Sequence, residues 1–354
     1  MSGFNPATLL GSANGIFLDA KAFCSNNAVS LDGLFFNQWE GPFNPYNINH
    51  LDSYWNASTG FIYSGWRIAV FNRGELFLEA NKDTIEILQM INRRENLPIG
   101  RTFDINLDGT GFSARGIELS KGFRISEWGE VLLIGFTARY LSGDKIQQGT
   151  ITGSASPVSS SSYDFDLQLN YTYDKNLVYD RRDTVPGTGN GYSFDIGLKH
   201  DFTDYLSAEL LFRDILGRIY WNHMPYTDAV GTSSTKYFDE NGYMIFKPII
   251  SGYEGNKDYV QRITSKTDLA LTYKNDFLRI TPSINFIGER PLYWVDVGFY
   301  IDKAFSLNTG YNLNYNCYSL GVTYKKASFN VYTDNIDYQR AKAVGISLFL
   351  QYDW

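Results

Sequence analysis

Val344-Gly345-Ile346-Ser347-Leu348-Phe349-Leu350-Gln351-Tyr352-Asp353-Trp354 ends the chain, and its alternation decides the fold. Val344, Ile346, Leu348, Leu350, Tyr352 and Trp354 share one face. Gly345, Ser347, Gln351 and Asp353 share the other, with Phe349 the exception. Successive side chains of a strand point to opposite faces, so the segment is a strand with one apolar and one polar side.

The pattern recurs upstream. Tyr192, Phe194, Ile196 and Leu198 alternate with Ser193, Asp195, Gly197 and Lys199. Leu278, Ile280, Ile284 and Phe286 alternate with Arg279, Thr281, Ser283 and Asn285, and Tyr293, Val295, Val297, Phe299 and Ile301 with Trp294, Asp296, Gly298 and Asp302. Leu167, Leu169, Tyr171 and Tyr173 face away from Asp166, Gln168, Asn170 and Thr172.

A soluble sandwich would alternate too. Four features favour a membrane barrel instead. The strands run to about ten residues or more, where sandwich strands are nearer 5–6. Their polar face carries small and charged residues, as a wet lumen would. Aromatics such as Tyr192, Tyr273, Tyr324, Tyr352 and Trp354 gather at the ends of the apolar stripes, where interfacial girdles belong. The connections also alternate in length. Short turns fall at 325–327, 302–304, 274–276, 201–204 and 126–129, and longer loops at 336–342, 288–290, 222–259 and 174–189. A tight turn near Asn314–Asn316 breaks the rule. Short periplasmic turns and longer outer loops are the bacterial outer-membrane arrangement.

Composition agrees. The 354 residues are 16 % aromatic and only 19 % charged, below the usual quarter of soluble domains. A net charge of −7 argues against nucleic acid, which needs a basic surface. Apolar runs such as Val131–Phe136 fall far short of the ~18 residues of a transmembrane helix. The start, Met1–Pro6, has neither a basic nor an apolar signal region, so an exported protein would here be in mature form. Cys24 and Cys317 are too few for a disulfide framework; two incidental thiols or one pair both remain open.

The expectation is one all-β domain over 1–354: an antiparallel transmembrane β-barrel with an even strand count between 14 and 18. Thirteen strand-like segments follow Phe112, with ambiguity around Lys145–Ala155, and up to four precede it. Residues 82–96 break the period. Leu88 and Ile91, with Ile87 or Ile85, share a helical face, and Asp83 and Glu86 are spaced as N-cap and N3. This short amphipathic helix either caps the rim or enters the lumen as a plug. In the second case Arg93 and Arg94 would meet Glu75, Glu118 and Asp195. Residues 222–260 read as a long extracellular loop.

Several stretches resemble the FadL-like outer-membrane superfamily, which includes long-chain fatty-acid transporters and the PorV-type barrels of secretion machinery. Asn5-Pro6-Ala7 is similar to an element that precedes the first strands of that family. Ser113–Leu119 with Leu133–Gly143 looks like its adjacent hairpin, and Gly189–Leu198 with Arg213–Trp221 is the most specific match. Transporters of that family carry a substantial N-terminal hatch inside the barrel; here the chain departs from them, with only about ten residues before the first candidate strand, Gly15–Phe23, which leaves any plugging to the Asp83–Arg94 helix. The resemblance implies residence in the bacterial outer membrane, among lipopolysaccharide, with Trp354 completing the signal read by the outer-membrane assembly machinery. Two functions follow from it. One is a channel or transporter for small, partly apolar molecules; the other is a non-transporting scaffold or anchor joined to other subunits of an envelope complex.

No catalytic site is legible. His50, His200 and His223 lie far apart without partners at metal or triad spacing, and the Gly-rich run at 187–191 precedes a strand rather than a helix, so it reads as a turn. No cofactor or metal is expected. What remains is the series that alternation assigns to the lumen: Arg67, Arg73, Glu75, Glu118, Arg139, Asp164, Asp166, Asp195, Lys199, Glu209, Arg213, Lys266, Asp268, Arg279 and Asp296. A charge on the lipid face would cost up to about 2–4 kcal/mol at mid-bilayer, so these point inward. They form either a paired structural network or the lining of a hydrated path. Mixed signs argue against a strongly ion-selective pore.

Overall fold

A computed structural model describes residues 4–36, 39, 43–127, 130–160, 162–176, 187–233, 236–238, 244–246 and 250–354. The strands are β1 (Gly15–Asn26), β2 (Ile48–Tyr63), β3 (Trp66–Asn81), β4 (Phe103–Glu127), β5 (Glu130–Ser159), β6 (Ser162–Tyr173), β7 (Thr188–Asp201) and β8 (Leu206–Thr232). They continue with β9 (Lys236–Phe238), β10 (Met244–Phe246), β11 (Ile250–Arg262), β12 (Lys266–Lys274), β13 (Leu278–Ile287) and β14 (Arg290–Tyr300). The last are β15 (Phe305–Asn312), β16 (Cys317–Tyr324), β17 (Ala327–Thr333) and β18 (Ala343–Asp353). A 3-10 turn covers Pro6–Gly11, and the α-helices are α1 (Leu31–Phe35) and α2 (Lys82–Arg93).

The C-terminal strand closes the sheet on the first, with Ile16 opposite Tyr352 and Ala22 opposite Ile346. The result is a closed antiparallel barrel of 14 strands, within the expected range. Counting strands along the sequence gives more because two wall positions are each filled twice. β7 pairs with the lower half of β5 (132–143), and β6 pairs with its upper half (147–159). Likewise β12 pairs with β8 at 206–213, and β11 with β8 at 218–231. β5 and β8 are therefore long, at 30 and 27 residues, and carry the sheet on above the barrel as a five-stranded extension with β4, β6 and β11.

The segment 222–260 is thus corrected. Its flanks are strand, β8 running to Thr232 and β11 starting at Ile250, and residues 234–235, 239–243 and 247–249 lie outside the described ones. Neighbouring strands satisfy backbone hydrogen bonds that a free loop would leave to water. Parts of two predicted connections, 128–129 and 177–186, also lie outside the described residues.

The outer face is apolar, with Ile16, Leu18, Ile68, Val70, Leu119, Phe136, Leu271, Val322 and Ile346 exposed. The five aromatics of the expected girdle divide. Tyr273, Tyr324, Tyr352 and Trp354 lie near the short turns and the chain ends, while Tyr192 joins Tyr140 and Tyr220 at the other rim.

The helix is present but is not a plug. Its N-cap is Asn81, whose side chain accepts from the backbone of Thr84, and Arg94 ends it in the left-handed conformation at φ 55°. Asp83 and Glu86 instead hold Arg101, at 2.7 and 2.5 Å. Ile87 is its buried apolar anchor, packed with Phe103, Ile105 and Ala155, while Ile91 is exposed. Phe103 and Ile105 alternate with the lumen series of β4, which runs through Phe112 and Glu118, so α2 covers the outer side of the extension. Arg93 reaches the carbonyl of Trp39 and pairs with Glu95, far from Glu75, Glu118 and Asp195. Cys24 and Cys317 are both free thiols.

Candidate functional site

The segment seated inside the barrel is the 3-10 turn at Pro6–Gly11 with Asn5 before it. Asn5 caps the 3-10 turn by accepting from the backbone of Ala7 at 3.0 Å, with Pro6 preset at the first position. Its amide donates to the Leu198 carbonyl and to Glu209. Gly122, Gly135 and Gly197 stand opposite one another on β4, β5 and β7, and form a flat floor beneath this turn. A Cβ on Gly135 would lie 2.1 Å from the Pro6 carbonyl carbon, and one on Gly197 1.9 Å from Asn5 Oδ1. Leu9 then packs with Phe17, Ile62 and Ala69. The Asn-Pro-Ala element is the part of the chain that seats in the barrel.

Above this turn, charges cross the lumen. Arg67 pairs with Glu118, donates to Ser58, and lies between the rings of Phe4 and Phe17, 4.2 Å from each centroid. Glu118 also takes Arg139 at 2.7 Å, and Arg139 grips both oxygens of Asp195 at 2.8 and 2.6 Å. Asp195 accepts from the backbone N–H of Asp214, whose carboxylate receives both arms of Arg73 at 2.7 and 2.9 Å. Arg73 also binds Glu75, and Lys266 reaches Glu75 at 2.9 Å and Asp214 at 3.2 Å. Arg213 pairs with Asp268 at 2.9 Å. Arg67, Arg73, Arg139, Arg213 and Lys266 thus balance Glu75, Glu118, Asp195, Asp214 and Asp268, and most are buried. The bidentate geometry and shared partners satisfy charges that would otherwise carry a large desolvation cost.

The bridge from β3 to β8 and β12 closes off the lobe of the barrel behind β4, β5 and β7. That lobe is filled by Phe71, Phe112, Leu141, Ile146, Ile219 and Trp221. Trp221 donates to Gln261, which donates to the Gly111 carbonyl across the interior.

The inner faces of β12–β18 differ. Ala270, Thr281, Ser283, Asn285, Ser319, Gly321, Ser328, Asn330 and Ser347 face the lumen there. Of these, Ala270, Thr281, Ser283, Asn285, Ser328, Asn330 and Ser347 line a cavity of about 340 Å³, bounded also by Asp268, Trp294, Asp296, Tyr332 and Phe349, by Asp19 and Lys21 of β1, and by Phe4. Asp19 and Lys21 stand 3.8 Å apart. A smaller space of about 100 Å³ along the charge bridge shares Phe4, Asp19 and Lys21 with it.

Of the expected lumen residues, Arg67, Arg73, Glu75, Glu118, Arg139, Asp195, Arg213, Lys266 and Asp268 meet in the network. Lys199 and Glu209 lie beside the 3-10 turn, 3.8 Å apart. Arg279 donates to Asn308 on the open side, and Asp296 lines the cavity. Asp164 and Asp166 share the inward parity but are exposed on the extension, above the girdle, where Ser233 donates to Asp164. Asp214 was missed. Its neighbour Arg213 already faces inward, and strict alternation would send Asp214 into lipid. Positive φ at Asp214 (57°) and Leu216 (55°), with register shifts on β7, turns both charges inside. Two adjacent charges in one spanning strand were the available signal, since lipid tolerates neither. The pair of Asp52 with Arg290 and the Tyr315 hydroxyl, near the outer rim, was also missed. Among the described residues no group of His, Cys, Asp or Glu is arranged to hold a metal.

No protein-family model and no curated protein matches the sequence. Solved structures do. The toluene transporter TodX of Pseudomonas putida is 10 % identical, with 99 % of this chain and 93 % of that one covered and a TM-score of 0.50. A TodX monoaromatic hydrocarbon channel mutant gives 11 %, 98 %, 91 % and 0.48, and a FadL homologue of Pseudomonas aeruginosa 10 %, 99 %, 92 % and 0.26. At such identity the likeness is one of fold alone: this chain shares the closed antiparallel barrel of TodX.

Proposed function

We propose that the protein is an outer-membrane channel for small, partly apolar molecules, which pass along the β12–β18 side of the lumen. The division of the interior carries this reading: one lobe is packed and bridged by charge, and the other is lined by hydroxyls and amides around a cavity. The fold shared with a toluene transporter supports it. The N-terminal turn is the obstacle at the periplasmic end, and its displacement completes the path. On this reading the partners are the bilayer, lipopolysaccharide and the assembly machinery that takes up the stripe ending in Trp354. Flux into liposomes holding the purified protein, with phenol and toluene as solutes, tests the proposal. Uptake no faster than in protein-free liposomes, with no current in planar bilayers, would overturn it.

A second reading rests on the five-stranded extension. Among the described residues β11 pairs only with β8 in that sheet and forms its edge. A scaffold subunit of an envelope complex would use such an edge, and silence in the flux assay with a stoichiometric co-purifying protein would favour it.

A further inference from the structure

We propose, building on the channel reading, that the cavity against β12–β18 is a binding site for one ring bearing hydroxyl groups. Size comes first: about 340 Å³ lies at the small end of ligand pockets, room for a single ring rather than a chain. The walls come next. Trp294, Tyr332 and Phe349 offer ring faces and edges, with Trp294 and Tyr332 nearly perpendicular at 5.9 Å between centroids. Aromatic walls of this kind hold flat or ring-shaped solutes.

The polar groups are more specific. Trp294 Nε1 and Asn285 Oδ1 are buried, in residues 4 % exposed that line the cavity, and neither atom has a hydrogen-bond partner among the described residues. The Asn285 amide nitrogen is held by Asp268 at 3.0 Å, which turns its oxygen elsewhere. One unmatched donor and one unmatched acceptor on neighbouring strands are what a hydroxyl satisfies, since it both gives and receives. Buried polar atoms left unpaired are costly, so a ligand that pairs both gains over one that pairs neither.

Charge selects against anions. Of the three carboxylates that line the cavity, Asp19 and Asp268 are ion-paired, and no unpaired cation lines it among the described residues. Lys21 is 3.8 Å from Asp19, and Arg213 is 2.9 Å from Asp268. Arg279, opposite Gly298, is one register step from Asp296, which faces Thr281. An anion would enter a site lined by carboxylates and lose its hydration without a free cation to receive it.

The test is calorimetric titration of the detergent-solubilised protein with catechol, methyl glucoside, toluene and benzoate, beside the liposome flux assay. Saturable binding of catechol or methyl glucoside at least about tenfold tighter than toluene or benzoate supports the site, and the better of the two tells whether the ring is aromatic or saturated. Trp294→Phe keeps the ring and removes the donor, and Asn285→Leu removes the acceptor at similar size. Each should weaken the preferred ligand about fivefold to tenfold, while a heat-modifiable gel band confirms the barrel. Toluene binding as tightly as catechol, or neither variant changing affinity, overturns the proposal. Saturable binding without flux keeps the site and removes the channel; flux without saturable binding does the reverse.

Discussion

The two sides of this lumen solve the same problem with different residues. Around β3, β4, β5, β7 and β8 the inward positions hold long charged and large apolar side chains, which meet across the interior. Around β12–β18, beyond Lys266 and Asp268 of the bridge and the rings of Trp294, Tyr332 and Phe349, most inward positions hold Ser, Thr, Asn or Gly, which bond only to nearby strands. Arg73 on β3 touches Asp214 on β8, whereas Asn330 on β17 reaches only its neighbour Ser347 on β18. The first side is held by interactions that span the barrel, and the second by its backbone ladder and by contacts between nearby strands, such as Arg279 with Asn308 and Trp294 with Tyr332. Side-chain length along each strand therefore decides where a barrel of fixed strand number is filled and where it stays open.

The strongest way to break this contrast is to remove the acid at the centre of the bridge. Asp214→Ala leaves Arg73 and Lys266 buried with only Glu75 between them. Loss of one partner of a buried ion pair costs about 3–5 kcal/mol, so the variant should unfold at clearly lower urea concentration in lipid vesicles. Ser283→Ala on the open side should change the unfolding free energy by less than about 1 kcal/mol. Equal losses in the two variants would remove the distinction.

Next is the seated turn. Gly135→Val places a branched side chain where Pro6 now sits, while the strand itself accommodates valine well. The N-terminal turn should be expelled and the barrel retained. Planar-bilayer conductance is expected to rise several-fold, against a stability loss of about 1–3 kcal/mol from the displaced packing. If conductance stays at the wild-type level, the turn at residues 6–11 is not the barrier. A converse change narrows the open side: Ser283→Phe should lower solute flux while barely altering stability, because it fills space without cutting a bridge.

Much of this arrangement was legible in the sequence. Alternation in β7, β13, β14 and β18 gave the barrel, and the cost of charge in lipid gave most of the network. What escaped it lay where alternation fails or where partners are distant in sequence. Asp214 depends on a bulge that nothing local announces except its charged neighbour. β6 looks like a wall strand because periodicity reports faces, not neighbours, and most of β11 falls in the stretch read as a loop; only pairing with the upper halves of β5 and β8 shows that they extend the wall. Asn5-Pro6-Ala7 could be matched to a family element, yet its seat depends on Gly122, Gly135 and Gly197, three positions on three strands that align only once the register is known.

The smallest expected effect concerns α2, which divides the two accounts of how the lumen is blocked. A helix of 12 residues is marginal alone in water, so it needs a surface, and amphipathicity by itself does not say which. The structure gives the outer side of the extension, through Ile87 on Phe103, Ile105 and Ala155. Its basic residues point the same way, since the guanidinium of Arg93 is held by the Trp39 carbonyl and the lumen carboxylates already have Arg67, Arg73, Arg139 and Lys266. Replacing residues 82–96 with a short Gly-Ser linker should therefore leave conductance and solute flux at wild-type values. Exposure of the Phe103–Ile105 face should show instead as stickiness in detergent exchange and faster proteolysis of the extension. A rise in conductance comparable to that of Gly135→Val would return the helix to the lumen and make the N-terminal turn a secondary seal.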